Sequence, residues 1–256
     1  MYILCISTFF ILIGLLVYIE IYMKNIYKEP YKNKKMLKSD QKHVIFFGDS
    51  ILENSNYVEY DKTVESVLTN PKKYGYVVEN FAEDDAIIND INDQFNDFFA
   101  TNRIRLSTKR KIQDNGMIII SVGGNDLLNK YHNNKNNVKD MSYFDKIWNE
   151  YKEMIKFIEK NLKTNSDGKY KNIKLGLIGL YFPFDKKYKN YDKIVEKWNK
   201  NLKNLSSKNK NMEYIDLSIV FNNKKHFVDD IEPSSKGSEL IAKQINLTHK
   251  KVINSN

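Results

Sequence analysis

A chain of 256 residues slightly exceeds the usual length of a single domain, so one domain with an appendage is expected. Hydrophobic residues make up 41% of the chain, enough for a buried core, and the net charge of +9 is spread along it without an RNA- or DNA-binding motif, so no nucleic-acid partner is expected. The single cysteine, Cys5, excludes an internal disulfide and a zinc site built on cysteines.

The N-terminal segment is apolar. Residues 2–19 carry no charge and are long enough to cross, or nearly cross, about 30 Å of hydrocarbon as a helix. A basic start and a small-residue cleavage site are both missing from this segment. The pattern favours a retained transmembrane anchor over residues 1–23, rather than a removed signal peptide or a buried helix.

The residues after the anchor bear on its orientation. Residues 24–41 contain Pro30 and a run of lysines, which is typical of a solvated basic linker. Lysines that flank a single membrane span favour a cytoplasmic location for the remainder of the chain. Two glycosylation sequons, at Asn204 and Asn246, favour the opposite side, so the sidedness stays open.

Residues 42–256 form the predicted folded domain. Short apolar runs alternate with longer amphipathic segments, which predicts an α/β fold with a parallel sheet. The predicted strands are His43–Phe47, Tyr76–Phe81, Met117–Val122, Ile173–Leu180 and Met212–Leu217. The predicted helices cover about 57–69, 86–99, 142–163, 189–206 and 235–247. Ligands of such sheets bind beyond the carboxyl ends of the strands, so polar residues that follow strands are candidate site residues.

Two polar motifs stand at such positions, GDS at 48–50 and GGND at 123–126, and a third, DDIEPSSKG at 229–237, leads into the last predicted helix. A serine hydroxyl at a strand exit suits a nucleophile, and an amide side chain such as Asn125 suits a donor to a developing oxyanion. Asp49 and Asp126 are expected to bind nearby backbone instead. Each motif alone is equally typical of a turn or a helix cap.

Together, and in this order, the three motifs resemble those of the SGNH hydrolase superfamily, the GDSL-like lipases and esterases. The resemblance covers about residues 42–248. It implies a three-layer α/β/α, flavodoxin-like fold with a five-stranded parallel sheet, and an ester or acyl substrate. By that likeness, Ser50 is the nucleophile, Asn125 and the backbone N–H of Ser50 donate to the oxyanion, and Asp229 orients the base. We expect no cofactor and no metal.

Two positions depart from the family pattern. The glycine that completes the oxyanion hole corresponds to Asp85, or to Asp84 if the register slips, and a carboxylate there repels an oxyanion unless it turns away or is protonated. Glu232 stands where the catalytic histidine is expected. An ordinary Glu, with a pKa of ~4.3 against ~6.5 for His, is the weaker base by about 2.7 kcal/mol of proton-transfer driving force. Burial beside Asp229 would either narrow this gap or leave Glu232 protonated and useless as a base.

The four histidines are the alternative bases in this chain. His226, six residues upstream of Glu232, is the candidate substitute base. His43 precedes the first strand and is predicted at the opposite end of the sheet. His132 and His249 are predicted to lie on the surface.

Three interpretations fit these residues. The first, which we adopt, is a membrane-anchored serine esterase or acyl hydrolase with altered base chemistry. The second is a catalytically impaired pseudo-hydrolase that binds a ligand or a protein at a membrane. The third is a cation site formed by Asp85, Asp229 and Glu232, although their spacing matches no known metal-binding pattern.

Overall fold

The computed structural model of the protein describes residues 42–106, 116–133, 142–164, 170, 173–185, 188 and 191–254. The predicted anchor at 2–19 and linker at 24–41 lie outside these ranges, and the side chain of His132 is not described either. Within the described ranges, no helix combines the length and the apolar character that a membrane crossing requires.

Five parallel strands form one sheet, as the alternating pattern predicted. They are β1 (His43–Gly48), β2 (Val77–Asn80), β3 (Met117–Ser121), β4 (Lys174–Ile178) and β5 (Met212–Ile215). Their order in the sheet is β2-β1-β3-β4-β5. The chain leaves β1 for one neighbour and returns to the other, so the carboxyl ends of β1 and β3 lie side by side where the connections diverge.

Two helical layers enclose the sheet. The α-helices of the described ranges are α1 (Val64–Thr69), α2 (Ile91–Leu106), α3 (Gly124–Asn133), α4 (Ser142–Thr164), α5 (Asp192–Ser207) and α6 (Ser235–Asn254). Helix α6 packs on α1 and against β4 and β5, whereas α4 packs on α2 and α3. Trp198 of α5 contacts Trp148 and Tyr151 of α4 edge-on. The predicted three-layer α/β/α architecture is therefore confirmed for this part of the chain.

The helices depart from the prediction in four places. The segment predicted over 86–99 begins with a 3₁₀ turn, Ile88–Asp90, and continues as α2 to Leu106. The segment predicted over 57–69 contains a short 3₁₀ turn, Tyr60–Lys62, followed by α1, whose start is capped by the Thr63 hydroxyl accepting from the Ser66 N–H. Helix α3 was not predicted, because the residues of its first turn are those of ordinary turns. Helix α6 continues seven residues beyond the predicted end at 247, to Asn254.

One histidine prediction is wrong. His249 is 0% exposed, and its ring packs edge-on against Tyr76 with centroids 5.2 Å apart. Because α6 continues past residue 247, its buried stripe reaches Val252 and carries His249 into the core. His43 begins β1 at the amino end of the sheet, as predicted, with its Nε2 3.1 Å from Oε1 of Glu79.

Candidate active site

Ser50 lies in the turn that follows β1, where the chain leaves the carboxyl end of the sheet. Gly48 makes this exit with a φ of +145°, and a Cβ there would lie 2.0 Å from the carbonyl oxygen of Ser121, so only glycine fits. Asp49 donates its N–H to the same carbonyl at 2.9 Å. These contacts hold the turn against β3 and leave Ser50 7% exposed.

Gln94 clamps the exit from β1, a role that the sequence did not predict. Its Oε1 accepts from the Gly48 N–H at 2.8 Å, and its Nε2 donates to the Gly48 carbonyl at 2.9 Å. The side chain is buried, so both bonds are shielded from water. Gln94 stands between Ile91 and Phe98 on the buried stripe of α2, and a polar residue at that helical position is the one sequence signal that marks it.

The GGND motif forms the exit from β3 and the first turn of α3. Gly123 has a φ of +106°, and a Cβ there would lie 2.3 Å from the ring of Trp198. Asn125 donates from Nδ2 to the carbonyl of Ala86 at 3.1 Å, and Asp126 accepts from the Ile88 N–H at 3.1 Å. The start of α3 therefore fixes the loop before α2.

The exits from β1 and β3 share a small pocket with the loop that precedes α6. Ser50, Asn125 and Glu232 all line it, so the three motifs meet at one edge of the sheet. The cavity has a volume of about 40 Å³, close to that of a single water molecule or methyl group. Its other walls are mostly apolar and come from Ile51, Leu128, Leu180, Tyr181, Pro183, Tyr191 and Ile231.

Glu232 faces Ser50 inside this pocket. Burial raises the pKa of the Glu232 carboxyl from 4.5 to about 7, the nearby Ser50 hydroxyl opposes this rise, and the negative charges of Asp229, Asp84 and Asp85 add to it. Oε2 of Glu232 is buried and has no hydrogen-bond partner among the described residues. Glu232 thus has the proton affinity of an ordinary histidine, the residue expected at its position.

The loop that carries Glu232 is held in place by side chains that bind its backbone groups. Oδ1 of Asp229 accepts from the N–H groups of Ile231 and Glu232 at 2.8 and 2.9 Å, and the Tyr181 hydroxyl donates to the Ile231 carbonyl at 2.8 Å. Asp229 is not among the residues that line the pocket. A carboxylate base offers no N–H of the kind by which histidine binds an orienting acid, so Asp229 binds backbone instead.

Asp49 bonds to nearby backbone, as predicted, whereas Asp126 bonds to the N–H of Ile88, 38 residues away along the chain. Oδ1 of Asp49 accepts from the Ile51 N–H at 3.2 Å and from the Ser121 hydroxyl at 2.9 Å. Burial raises the pKa of Asp49 to about 7 and that of Asp126 to about 6. Asp49 lines the pocket beside Ser50, so two carboxyl groups with pKa values near 7 share this small space.

Asp85 has the backbone of a glycine position. Its φ of +59° is the one positive value among the non-glycine residues of the described ranges, which fits the register that aligned it with the family glycine. Its N–H donates to Oδ1 of Asp84 at 3.0 Å, and Asp84 also accepts from the side chains of Asn56 and Tyr57. Asp85 is exposed and does not line the pocket.

Comparison with known proteins identifies the family. The family model for GDSL-like lipase/acylhydrolase matches residues 44–245. The chain belongs to this GDSL-like lipase/acylhydrolase family. A search of curated proteins yields no match.

Solved structures with the GDSL-type fold are similar to this chain. The lipase Lip_vut3 from a goat rumen metagenome aligns with a TM-score of 0.60 and 20% identity, over 81% of this chain and 97% of its own. TesA aligns with a TM-score of 0.55 and 13% identity, over 83% and 99%. A lipolytic G-D-S-L family member from Veillonella parvula DSM 2008 aligns with a TM-score of 0.51 and 17% identity, over 79% and 95%. At these identities the likeness concerns the fold.

Membership in the GDSL-like family supports an ester-bond hydrolase. Such an enzyme requires a base for its serine, and the alternatives to Glu232 are the remaining candidates. His226, the candidate substitute base, is buried beside Phe221 but is not among the residues that line the pocket. Burial and the charge of Lys225 lower the pKa of His226. No group of three or more His, Cys, Asp or Glu side chains within the described ranges is arranged to hold a metal ion, so the cation-site interpretation has no geometric support.

Proposed function

We propose that this chain is a serine acyl hydrolase for short-chain esters, with Ser50 as the nucleophile and Glu232 as the base. The observation that carries this proposal is that Ser50 shares a pocket with Glu232, a carboxyl group whose pKa burial raises to about 7. A base works best when its pKa lies near the working pH. Burial gives this carboxyl group a pKa near neutrality, which an imidazole group has without burial.

The proposed reaction has two steps. Ionised Glu232 takes the hydroxyl proton of Ser50 while Oγ bonds to the carbonyl carbon of the ester, and Glu232 then returns the proton to the departing alcohol as the ester bond breaks. Water attacks the acyl-serine in the second step, again giving its proton to Glu232, which passes it to Oγ of Ser50 as the carboxylic acid leaves. The change in pKa from 4.5 to about 7 corresponds to about 3 kcal/mol of added proton affinity for this base.

The oxyanion of each step requires donors. We assign this role to the Ser50 N–H and to the amide of Asn125, which has two hydrogens and donates one of them to the Ala86 carbonyl. The Asp85 N–H, the family's third donor, bonds to Asp84 and contributes only if that bond opens. We therefore expect slower turnover than in an enzyme with a glycine at this position. The small apolar cavity favours an acyl group about the size of acetyl.

The test is hydrolysis of p-nitrophenyl acetate by the full-length chain in a nonionic detergent. Ser50→Ala and Glu232→Gln are each expected to lower kcat/KM by a factor of at least about 10³, as for other nucleophile and base removals. Glu196→Gln, the same chemical change at an exposed position of α5, is the control and should leave the rate unchanged. Hydrolysis that survives Ser50→Ala would refute the assignment.

One observation favours the second candidate, a pseudo-hydrolase that binds a ligand or protein. The Asp85 N–H is engaged by a carboxylate, and Asp84 and Asp85 both bring negative charge close to Glu232. Both features oppose an anionic transition state. A binding function predicts that Ser50→Ala leaves the cellular role intact, whereas an enzymatic role predicts that Ser50→Ala resembles deletion of the gene.

We also propose that residues 2–19 anchor the domain as a single-pass protein, with the domain on the cytoplasmic side. The uncharged apolar run supports the anchor, and the lysines of the 24–41 linker support the orientation. Protease protection in right-side-out vesicles tests both points. Recovery of the intact chain in the soluble fraction would contradict the anchor, and degradation from outside would contradict the orientation.

A further inference from the structure

We infer that this site selects esters whose alcohol part carries a positive charge, a substrate class that rests on the proposed esterase function. The pocket itself is lined by Asp49 and Glu232. Asp229 binds the backbone N–H of Glu232 at 2.9 Å, and Asp84 is held by the Tyr57 hydroxyl at 3.0 Å. Together with Asp85, which follows Asp84, these side chains form what we call the acidic mouth: Asp49, Asp84, Asp85, Asp229 and Glu232.

The acidic mouth contrasts with the rest of the chain. Lys and Arg outnumber Asp and Glu by 41 to 32, so a carboxylate has abundant cationic neighbours elsewhere. Glu239 pairs with Lys73 and Lys236, and Glu213 pairs with Lys251. Within the described ranges, no residue of the acidic mouth lies in an ion pair with a lysine or a histidine. A group of uncompensated carboxylates in a basic protein is a site of negative potential.

An acceptor oxygen at the pocket lacks a partner among the described residues. It is Oε2 of Glu232, which is buried without a hydrogen bond. Beside it in the pocket lies Asp49, which is 2% exposed and accepts from Ile51 and Ser121 through Oδ1 alone. Buried polar atoms usually have partners, so this oxygen is open to a donor group or a positive charge of a bound ligand.

A positive charge on the alcohol would act twice at this site. It would raise the local concentration of the ester at the acidic mouth, an effect that reaches factors of about 10 to 10³ in association rate and weakens with salt. It would also offset the repulsion between the oxyanion and the neighbouring carboxylates while the acyl group is transferred. The Tyr57 hydroxyl donates to Asp84 at 3.0 Å, which places an aromatic ring beside this carboxylate.

The test compares three acetate esters of similar size with the full-length chain in nonionic detergent. Acetylcholine is cationic, 3,3-dimethylbutyl acetate is its neutral isostere, and 2-sulfoethyl acetate is anionic. At low ionic strength we expect kcat/KM to fall by about tenfold from the cationic to the neutral ester and by about tenfold again to the anionic ester. Both ratios should shrink towards one at about 0.5 M salt.

Asp84→Asn tests the source of the preference, with Asp97→Asn as the control. Asn keeps the shape of the Asp84 side chain but removes its charge, so the ratio of cationic to neutral kcat/KM should fall about threefold. Asp97 is an exposed acid of α2, and its substitution should leave the ratio unchanged. Equal shifts in both variants would overturn the assignment to the acidic mouth.

The outcomes separate this inference from the proposed function. Ser50-dependent hydrolysis with equal kcat/KM for the three esters would overturn charge selection and leave the esterase in place. If none of the three esters is hydrolysed, the p-nitrophenyl acetate assay decides the proposed function, and equilibrium binding of choline against 3,3-dimethylbutanol decides the inference. The inference is supported if choline binds more tightly than 3,3-dimethylbutanol and Asp84→Asn weakens the binding of choline. Equal binding of the two compounds would refute the inference.

Discussion

Substituting Glu232 by Gln tests whether burial shifts the proton affinity of the proposed base. The pKa of Glu232 is raised in the folded chain from 4.5 to about 7. The folded state therefore holds a proton that the unfolded state releases, and the free energy of unfolding falls as the pH rises from about 4.5 to 7. The whole difference corresponds to about 3 kcal/mol, and partial access of solvent to the side chain reduces this to about 1–2 kcal/mol.

A glutamine side chain does not titrate, so the Glu232→Gln variant should lose this part of the pH dependence. We expect the variant to gain about 1–2 kcal/mol of stability relative to the natural chain between about pH 4.5 and pH 8. Urea unfolding at the two pH values measures the difference, and Glu196→Gln, at an exposed position, is the control. A difference that is the same at both pH values would refute the account of Glu232, whatever the activity of either protein.

Three further predictions concern residues around the site. Glu232→His should keep or increase p-nitrophenyl acetate hydrolysis, because imidazole titrates near ~6.5 in the same pocket, and inactivity of a folded variant would contradict the shared geometry. Asp85→Gly should unfold at higher free energy than Asp85→Ala by about 1 kcal/mol, because both remove the charge but only glycine accepts a φ of +59° without strain; equal urea midpoints would contradict this. Gln94→Leu should lower both kcat and the free energy of unfolding, the latter by about 2 kcal/mol, since the buried Gly48 N–H loses its acceptor while the Gly48 carbonyl keeps only its bond from the Glu83 N–H. Gln244→Leu on α6 is its control in the same ester assay and urea titration, and equal losses in the two variants would contradict the clamp.

The sheet and most helices followed from the sequence because their signal is local. The buried strands β1 and β3 are continuous apolar runs, and α4 repeats apolar residues at helical spacing. Helix α3 was missed because its stability depends on distant partners. Asn125 and Asp126 are turn formers in isolation, yet they bind the Ala86 carbonyl and the Ile88 N–H, 39 and 38 residues away.

The sequence predicted which residues meet at the candidate site, but it did not predict the proton affinity of Glu232 or the role of Gln94. The motifs placed Ser50 and Asn125 directly after strands and Glu232 before the last helix, and the fold brings the three residues to one pocket. The effect of burial beside Asp229 was expected only as two alternatives, and its extent, together with the contribution of Asp84 from another loop, cannot be read from the motif that contains Glu232. The clamp by Gln94 depends on hydrogen bonds to Gly48, 46 residues away along the chain. A single glutamine on an apolar stripe does not indicate which residue it binds.

The central claim is that Glu232 activates Ser50. Its most direct test is the rate at which a fluorophosphonate modifies Ser50 as a function of pH, with the modified peptide identified by mass spectrometry. The account predicts a rate that rises with an apparent pKa near 7 in the natural chain and a slow, flat profile in Glu232→Gln. Modification of Ser50 with the same profile in both proteins would contradict it.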